Sequence, residues 1–194
     1  GGGLHVTGSG NVMISGGTVS RNIAALEGGG LWNGLGTLTI TNGTVIDSNT
    51  ASGLEADDGG GGIFNNGGTL TIDGTAGLVT ISNNTADGTA GSGGGIFSTG
   101  GMVSVTSANL SFNTANRAGG GIEVVDGTVS LTGVNLINND AGGLAPAPGN
   151  GGGLHVTGTA NVTVSGGTVF GNIASREGGG FWNSTGTLTV SNGT

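Results

Sequence analysis

Side chains able to carry out acid–base or metal chemistry are sparse in this chain. It contains three Lys and Arg residues together, 11 acidic residues, two histidines and no cysteine, with a net charge of −8. The clearest acidic cluster is Glu55, Asp57 and Asp58, in a long connecting segment. Loop carboxylates can bind Ca²⁺ weakly, but the sequence has neither the EF-hand pattern nor the GGxGxD motif. The cluster therefore does not predict a metal site.

Hydrolytic chemistry on sugars is also not indicated. Glycoside hydrolysis needs two carboxyl groups about 5–9.5 Å apart, whereas Glu123 has only Asp126, in the following turn, near it in sequence. No Ser/His/Asp arrangement stands out. We expect a protein that is not an enzyme and that has no cofactor and no metal.

Glycine triplets punctuate the chain at regular intervals. Phosphate-binding loops also use Gly-rich turns, but a helix and a P-loop Lys would have to follow them, and neither is seen here. The triplets are better explained as tight corners where backbones approach closely. Each is followed by a large apolar residue: Leu4, Leu31, Ile63, Ile96, Ile122, Leu154 and Phe181.

A second motif alternates with the triplets: an apolar residue, Asn three positions later and Ala two positions after that. Its asparagines are Asn22, Asn49, Asn84, Asn113, Asn139 and Asn172. Triplet spacings are 27, 32, 33, 26 and 32 residues, and residues 151–194 repeat residues 1–44 with 31 identities in 44. Recurrence at this period predicts a solenoid. We expect one continuous β-solenoid over 1–194, with a five-coil super-repeat over 1–150 and the start of the next at 151–194, cut from a longer tandem array.

The alternation of apolar and polar residues between the glycines has the period of a β-strand. The coil from Gly28 predicts three short strands, 31–33, 37–41 and 44–47, separated by turns. Coils of 26–33 residues built this way predict an all-β, right-handed parallel β-helix. The six Asn side chains are expected to form an internal amide ladder, because a stack pairs amides that would be costly to bury alone.

The strings GGGIFNNGGTLTI and ISNNTADGTAGSGGGIF resemble repeats of right-handed β-helix proteins secreted by bacteria. Those include CSLREA-type proteins and the polymorphic outer-membrane proteins, whose repeats read GGA-[ILV] and FxxN. Here the third Gly replaces Ala, and Val, Ile or Leu replaces Phe. The resemblance implies the fold and a secreted, extracellular or cell-surface location, and it says little about activity.

The position after each post-triplet apolar residue forms a column that we expect to face outward. This first-strand column comprises His5, Trp32, Phe64, Phe97, Glu123, His155 and Trp182. Contiguous exposed aromatics often mark an interaction site. Three interpretations remain open: packing of the rings on one another, contact with another protein chain, and a track for sugar rings. The two histidines should lie about 24 Å apart, too far to share a metal.

The second strands present an outward face rich in hydroxyl groups, which resembles the TxT faces of ice-binding β-solenoids. Strand propensity alone also explains this pattern. The candidate flat Thr face comprises Thr37, Thr39, Thr41, Thr69, Thr71, Thr128, Thr132, Thr187 and Thr189.

Charge and hydropathy narrow the possible partners. With no basic stripe, nucleic-acid binding is not expected, and no apolar stretch approaches the ~20 residues that span a membrane. The expected partners are copies of the chain itself, end to end or side by side, other surface proteins, and glycans. We expect a structural role in an extracellular filament, sheath or stalk, with a surface adhesin or an ice-binding face as alternatives.

The loop with Pro146 and Pro148 is either a lateral contact or a spacer.

Overall fold

A computed structural model describes residues 1–142 and 150–194. Over these residues the chain is all-β, and its strands stack in parallel as a β-solenoid. The described part contains no helix, hence none long and apolar enough to cross a membrane. Pro146 and Pro148, for which a lateral contact or a spacer was expected, lie outside the described residues.

Each coil starts at a glycine triplet, and coils 1 to 7 begin at Gly1, Gly28, Gly60, Gly93, Gly119, Gly151 and Gly178. The strands of coils 1 to 3 are Leu4–Val6, Asn11–Ser15, Thr18–Ser20, Ile23–Ala24, Leu31–Asn33, Thr37–Thr41, Val45–Asp47, Thr50–Ala51, Ile63–Asp73, Val79–Ser82 and Thr85–Ala86. Those of coils 4 to 7 are Ile96–Thr106, Ala108–Ser111, Thr114–Ala115, Ile122–Val124, Thr128–Ile137, Asp140–Ala141, Leu154–Val156, Asn161–Phe170, Ile173–Ala174, Phe181–Asn183 and Thr187–Ser191.

The strand count per coil differs from the three predicted. A fourth, two-residue strand follows each ladder Asn, as at Thr50–Ala51, and these short strands form a separate six-stranded sheet. Elsewhere predicted strands merge: the first and second are continuous over Ile63–Asp73, and the second and third over Thr128–Ile137. Opposite Ile63–Asp73 the register shifts at Gly100, so an irregularity in the pairing takes the place of a predicted turn.

Equivalent positions of successive coils pair directly. Leu31 lies opposite Leu4 and Ile63 in the first strands, and Leu38 lies opposite Leu70 in the second. The apolar residues of the alternating strands fill the interior, and Leu38, Ile40 and Leu70 are fully buried. Burying a Leu or Ile side chain stabilises the fold by about 1.5–3 kcal/mol. The core is thus a continuous column of aliphatic side chains along the solenoid.

The predicted Asn ladder is present. The Nδ2 of each Asn donates to the Oδ1 of the next, at 2.9 Å from Asn22 to Asn49 and from Asn49 to Asn84, and at 3.0 Å from Asn84 to Asn113. The chain of bonds continues through Asn139 to Asn172. Each Oδ1 also accepts the preceding Asn backbone N–H. In the interior members the second amide proton donates to a backbone carbonyl, as from Asn49 to Val19. Both lone-pair sites and both amide protons are then used, which is how a buried row of amides avoids a desolvation penalty.

The glycine triplets fit against this ladder. A Cβ on Gly95 would lie 2.5 Å from the Gly121 carbonyl oxygen and 3.2 Å from the amide of Asn113. The first glycine of a triplet has positive φ, as at Gly93 with φ of 61°. The triplet therefore combines a left-handed corner with a close approach to the Asn ladder, both of which glycine alone satisfies without strain.

A second, shorter polar ladder lies inside the first strands. The Nδ2 of Asn33 donates to Asn65 Oδ1 at 2.7 Å, and Asn65 donates to Ser98 Oγ at 3.2 Å. These three residues are buried. Valine occupies the same register position in coils 1 and 5, at Val6 and Val124. Because that column mixes amides with valines, its polar members are not conspicuous in the sequence.

Candidate functional site

The first-strand column was expected to face solvent, and for its central part that expectation is wrong. Phe64, Phe97, Glu123 and His155 are at most 2% exposed. His5 is exposed, and Trp32 and Trp182 are half-buried. An open aromatic stripe along the whole solenoid therefore does not exist.

The rings of the column pack on one another. His5 stacks on Trp32 at 4.1 Å between ring centroids, and Trp32 is nearly parallel to Phe64 at 6.3 Å. Phe64 meets Phe97 edge to face at 5.2 Å. Offset-stacked and edge-to-face pairs of this kind add about 0.5–1.5 kcal/mol beyond their buried area. Of the three interpretations from the sequence, self-packing agrees with this geometry.

Each tryptophan is held by a glutamate just before the glycine triplet of its own coil. Trp32 Nε1 donates to Glu27 Oε2 at 2.7 Å, and Trp182 Nε1 donates to Glu177 Oε2 at 3.1 Å. Burial raises the pKa of Glu27 above its ordinary value, against the lowering effect of the Trp32 hydrogen bond. The two pairs are equivalent because they occupy the same position in successive super-repeats. In each pair the glutamate fixes the orientation of the indole ring.

Glu123 is the centre of a buried polar cluster. Its Oε1 accepts hydrogen bonds from Arg117 Nη2 and, at 2.6 Å, from Thr157 Oγ1. The Nδ1 of His155 lies 3.5 Å from the same oxygen. Full burial acts to raise the pKa of Glu123, but the His155 contact and the Arg117 charge outweigh it, so the pKa is lowered. Glu123 is therefore held ionised in the interior.

Arg117 lies between Glu123 and two connecting segments. Its Nε donates to Ser92 Oγ at 2.8 Å and its Nη2 to the Ala56 carbonyl at 3.3 Å, in the connecting segments of coils 3 and 2. One guanidinium thus ties two connecting segments to Glu123 across the column. These segments differ in length from coil to coil, so the periodic pattern of the strands does not indicate their path.

The polar groups around Glu123 do not form a pair of catalytic carboxylates. Among residues 1–142 and 150–194, Glu123 Oε2 and His155 Nε2 have no hydrogen-bond partner. Asp126, the carboxylate nearest to Glu123 in sequence, is exposed and accepts hydrogen bonds from its own turn and from Thr159. The cluster holds one buried ion pair and a histidine, and its bonds join neighbouring coils.

The acidic residues of coil 2 form a local turn. The backbone N–H of Glu55 donates to Asp58 Oδ2 at 3.0 Å, and the Asp58 N–H donates back to the Glu55 carbonyl at 3.2 Å. Asp57 is exposed. In the described part of the chain, no three His, Asp or Glu side chains are grouped so that they could hold a metal.

The Thr face lies where the alternation predicts it. Thr37, Thr39, Thr41, Thr69 and Thr71 are half-buried, and Thr128, Thr132, Thr187 and Thr189 are exposed. The central column is the most regular, because a hydroxyl residue occupies it in each coil from 2 to 7. Its members pair in register as Thr39, Thr71, Ser104, Ser130, Thr163 and Thr189.

Comparisons with protein-family models, with curated proteins and with solved structures find no match.

Proposed function

We propose that this chain is a structural, non-enzymatic segment of an extracellular filament, sheath or cell-surface stalk. The observation that carries the proposal is the Asn ladder, which stays in register from Asn22 to Asn172. Each coil offers its neighbour the same amide, the same backbone edge and the same aliphatic column. Each added coil therefore lengthens the solenoid by about 4.8 Å without any change in the structure of the coil.

The buried acid supports a structural role over a catalytic one. Glu123 is engaged by Arg117 and Thr157, whereas a general acid or base must reach its substrate within hydrogen-bond distance. The hydrogen bonds of this network join segments of coils 2 to 6. A rod that must resist bending and proteolysis benefits from such cross-coil contacts.

The sequence resemblance to secreted bacterial β-helix repeat proteins supports an extracellular or cell-surface location. The parallel solenoid agrees with that class, and the CSLREA-type and polymorphic outer-membrane repeats are the finer assignments that we propose. The 150-residue repeat supports a role in which length matters.

Electron microscopy of the native full-length protein tests the proposal. We expect long unbranched fibres whose power spectra show layer lines near 4.8 Å and a super-repeat near 24 Å, about five coils. Short isolated rods under the same conditions would exclude the filament.

A second candidate function is ice binding by the Thr face. The observation that favours it is the unbroken column of hydroxyl residues from Thr39 to Thr189, repeated every coil at about 4.8 Å. The soluble chain should then show thermal hysteresis and shape ice crystals, and Thr71→Leu with Thr163→Leu should abolish both. Ordinary freezing of the unaltered chain would exclude this function.

A further inference from the structure

We infer that the five-coil unit binds a second copy of itself head to tail, with coil 5 of one copy docked on coil 1 of the next. The coil 5 end is the side of coil 5 that faces coil 6, and the coil 1 end is the side of coil 1 that faces away from coil 2. The contact gives the proposed filament an end-to-end partner, and it rests on that proposal for its biological role only.

The junction of coils 5 and 6 inside the chain shows how such ends meet. Ile122 lies opposite Leu154 in the first strands, and the N–H groups of Gly121 and Ile122 donate to carbonyls of the coil 6 triplet, both at 2.9 Å. The Asn ladder crosses the junction as well, because Asn139 Nδ2 donates to Asn172 Oδ1 at 2.9 Å. The junction thus combines strand pairing, apolar contact and a ladder bond.

One charged side chain distinguishes this junction from the others. Glu123 of coil 5 lies opposite His155 of coil 6, and its Oε1 is 3.5 Å from His155 Nδ1. The same oxygen accepts a hydrogen bond from Thr157 Oγ1 at 2.6 Å. In this register column coils 2 to 4 hold aromatic residues. A coil that offers histidine and threonine therefore matches coil 5 better than it matches coils 2 to 4.

Coil 1 repeats the surface with which coil 6 receives coil 5. Residues 1–27 correspond to residues 151–177, so His5 and Thr7 stand where coil 6 has His155 and Thr157. The ladder residue Asn22 likewise corresponds to Asn172. Asn22 donates to Asn49 on its other side, which leaves its Oδ1 for the Asn139 amide of a second copy. Coil 1 can therefore receive the carboxylate and the ladder bond of coil 5.

The exposure of equivalent residues shows what covers the coil 1 end. Leu154 and Val162 are fully buried beneath coil 5, whereas their equivalents Leu4 and Val12 are half-buried. Because the same residue types are buried in one coil by a coil of known sequence, the structure itself identifies the occupant as the coil 5 end. The bonds are the same whether the two coils belong to one chain or to two copies.

Both ends are formed before they meet. The coil 1 end already has its strands paired with coil 2 on the other side, at Leu4–Val6, Asn11–Ser15 and Thr18–Ser20. Association of two preformed surfaces avoids the cost of ordering a segment. We expect a Kd on the order of 10 µM, at the weak end for interfaces of standard size.

Sedimentation velocity of residues 1–142, the described part of coils 1 to 5, tests the inference. In this fragment coil 5 has one neighbouring coil, as coil 1 has in the structure, so the fragment should fold, which circular dichroism checks. We expect its weight-average mass to rise about fivefold between about 1 and 100 µM. Electron microscopy should show rods that lengthen in steps of about 24 Å.

The 194-residue chain is the matched reference. It has the same coil 1 end, but its other end is coil 7, which presents Trp182 in place of Glu123. We expect it to stay monomeric over the same concentrations. Added in excess to the five-coil fragment, it should shorten the rods, because it can occupy a coil 5 end but offers none.

His5→Glu in the five-coil fragment tests the role of the charge. It sets a second carboxylate against Glu123 of the next copy, and we expect at least about tenfold weaker association. Met102→Glu is the control, because it adds one carboxylate on the exposed side of coil 4, away from both ends. The control should associate like the unaltered fragment.

A ten-coil chain, residues 1–150 followed directly by residues 1–142, has the same two ends on a longer core and provides the test if the five-coil fragment does not fold. Chains that stay monomeric at about 100 µM, or an association that His5→Glu leaves unchanged, would overturn the inference. Either result would leave the proposed filament to the microscopy of the native protein, since one long chain can also form a fibre.

Discussion

Asn84, in the middle of the ladder, makes every bond that its amide allows. Its Nδ2 donates to the Ile46 carbonyl and to Asn113 Oδ1, both at 3.0 Å, and its Oδ1 accepts from the N–H and side chain of Asn49. Asn84→Ala leaves donors of Asn49 buried without an acceptor. We expect the free energy of unfolding, measured by denaturant titration, to fall by about 2–4 kcal/mol.

Asn66→Ala is the matched control for this prediction. Asn66 is exposed and accepts one hydrogen bond, from Thr99 Oγ1 at 3.1 Å, so its loss should change stability by less than about 0.5 kcal/mol. Equal effects of the two substitutions would show that the ladder contributes no more than a surface amide.

The second residue-scale prediction concerns the charge of Glu123. Its side chain is fully buried, and that of Arg117 is 13% exposed. Glu123→Gln leaves the arginine without its counter-ion, and removal of one partner of a buried pair costs about 3–5 kcal/mol. Because Gln keeps one acceptor for Thr157, we expect the lower end of that range near neutral pH.

The same variant should change how stability depends on pH. The pKa of Glu123 in the folded protein lies below its ordinary value of 4.5. Its stabilising effect is therefore complete above that ordinary value and is lost as the pH falls through the folded-state pKa. The difference in unfolding free energy between the two proteins should shrink as the pH drops below about 4.5. The pKa of Asp47 is also lowered, but Asp47 is present in both proteins, so its contribution to the pH dependence cancels in the difference. A constant difference down to acid pH would contradict an ionised Glu123.

At the scale of elements, the glycine triplets set how closely coils approach. Gly95→Ala places a methyl group 2.5 Å from the Gly121 carbonyl oxygen and against the Asn113 amide. The backbone must move, and we expect a loss of about 1–3 kcal/mol in unfolding free energy. Gly100→Ala is the control, since nothing lies within 4 Å of its Cβ position. Similar melting temperatures for the two variants would show that the backbone at this corner can move at little cost in free energy.

The strand alternation and the Asn motif were enough to predict the interior. Leu38 and Ile40 point inward because a strand turns successive side chains to opposite faces, and they are fully buried. The Asn ladder followed from the cost of burying an unpaired amide. Both inferences depend on local periodicity, which a single sequence records.

Burial of the first-strand column could not be predicted in this way. The connecting segments near it have no repeated length, and they include a contact between Arg117 and the Ala56 carbonyl, 61 positions apart. The two-residue strands such as Thr85–Ala86 are too short to show alternation. The second ladder gave only a partial signal: Asn33 and Asn65 both stand two residues after the post-triplet apolar residue, but valine holds that position in coils 1 and 5.

At the scale of the whole molecule, each strand pairs only with strands of the neighbouring coils, although Arg117 of coil 4 also reaches the Ala56 carbonyl of coil 2. Ile63 and Ile96 are register partners, as are Phe64 and Phe97, so a whole coil can be removed between equivalent points. In such a quasi-one-dimensional protein, stability is roughly a sum over coils and their interfaces. The number of coils, and so the length of the rod, can therefore change while the fold of each coil stays the same.

Deletion of residues 64–96 tests this separability, because Ile63 then runs directly into Phe97. Asn113 takes the place of Asn84 against Asn49, and the ladder closes with one member fewer. We expect a folded β-protein whose denaturant m-value is lower by about a sixth, in proportion to the chain removed. Deletion of residues 64–83 is the control. It joins Ile63 to Asn84 and so places a ladder residue at the position of Phe64. Because the register is then lost, this variant should not unfold cooperatively. If the shorter, out-of-register deletion folds as well as the whole-coil deletion, the coils are not interchangeable units, and the extension of this solenoid into a long filament loses its physical basis.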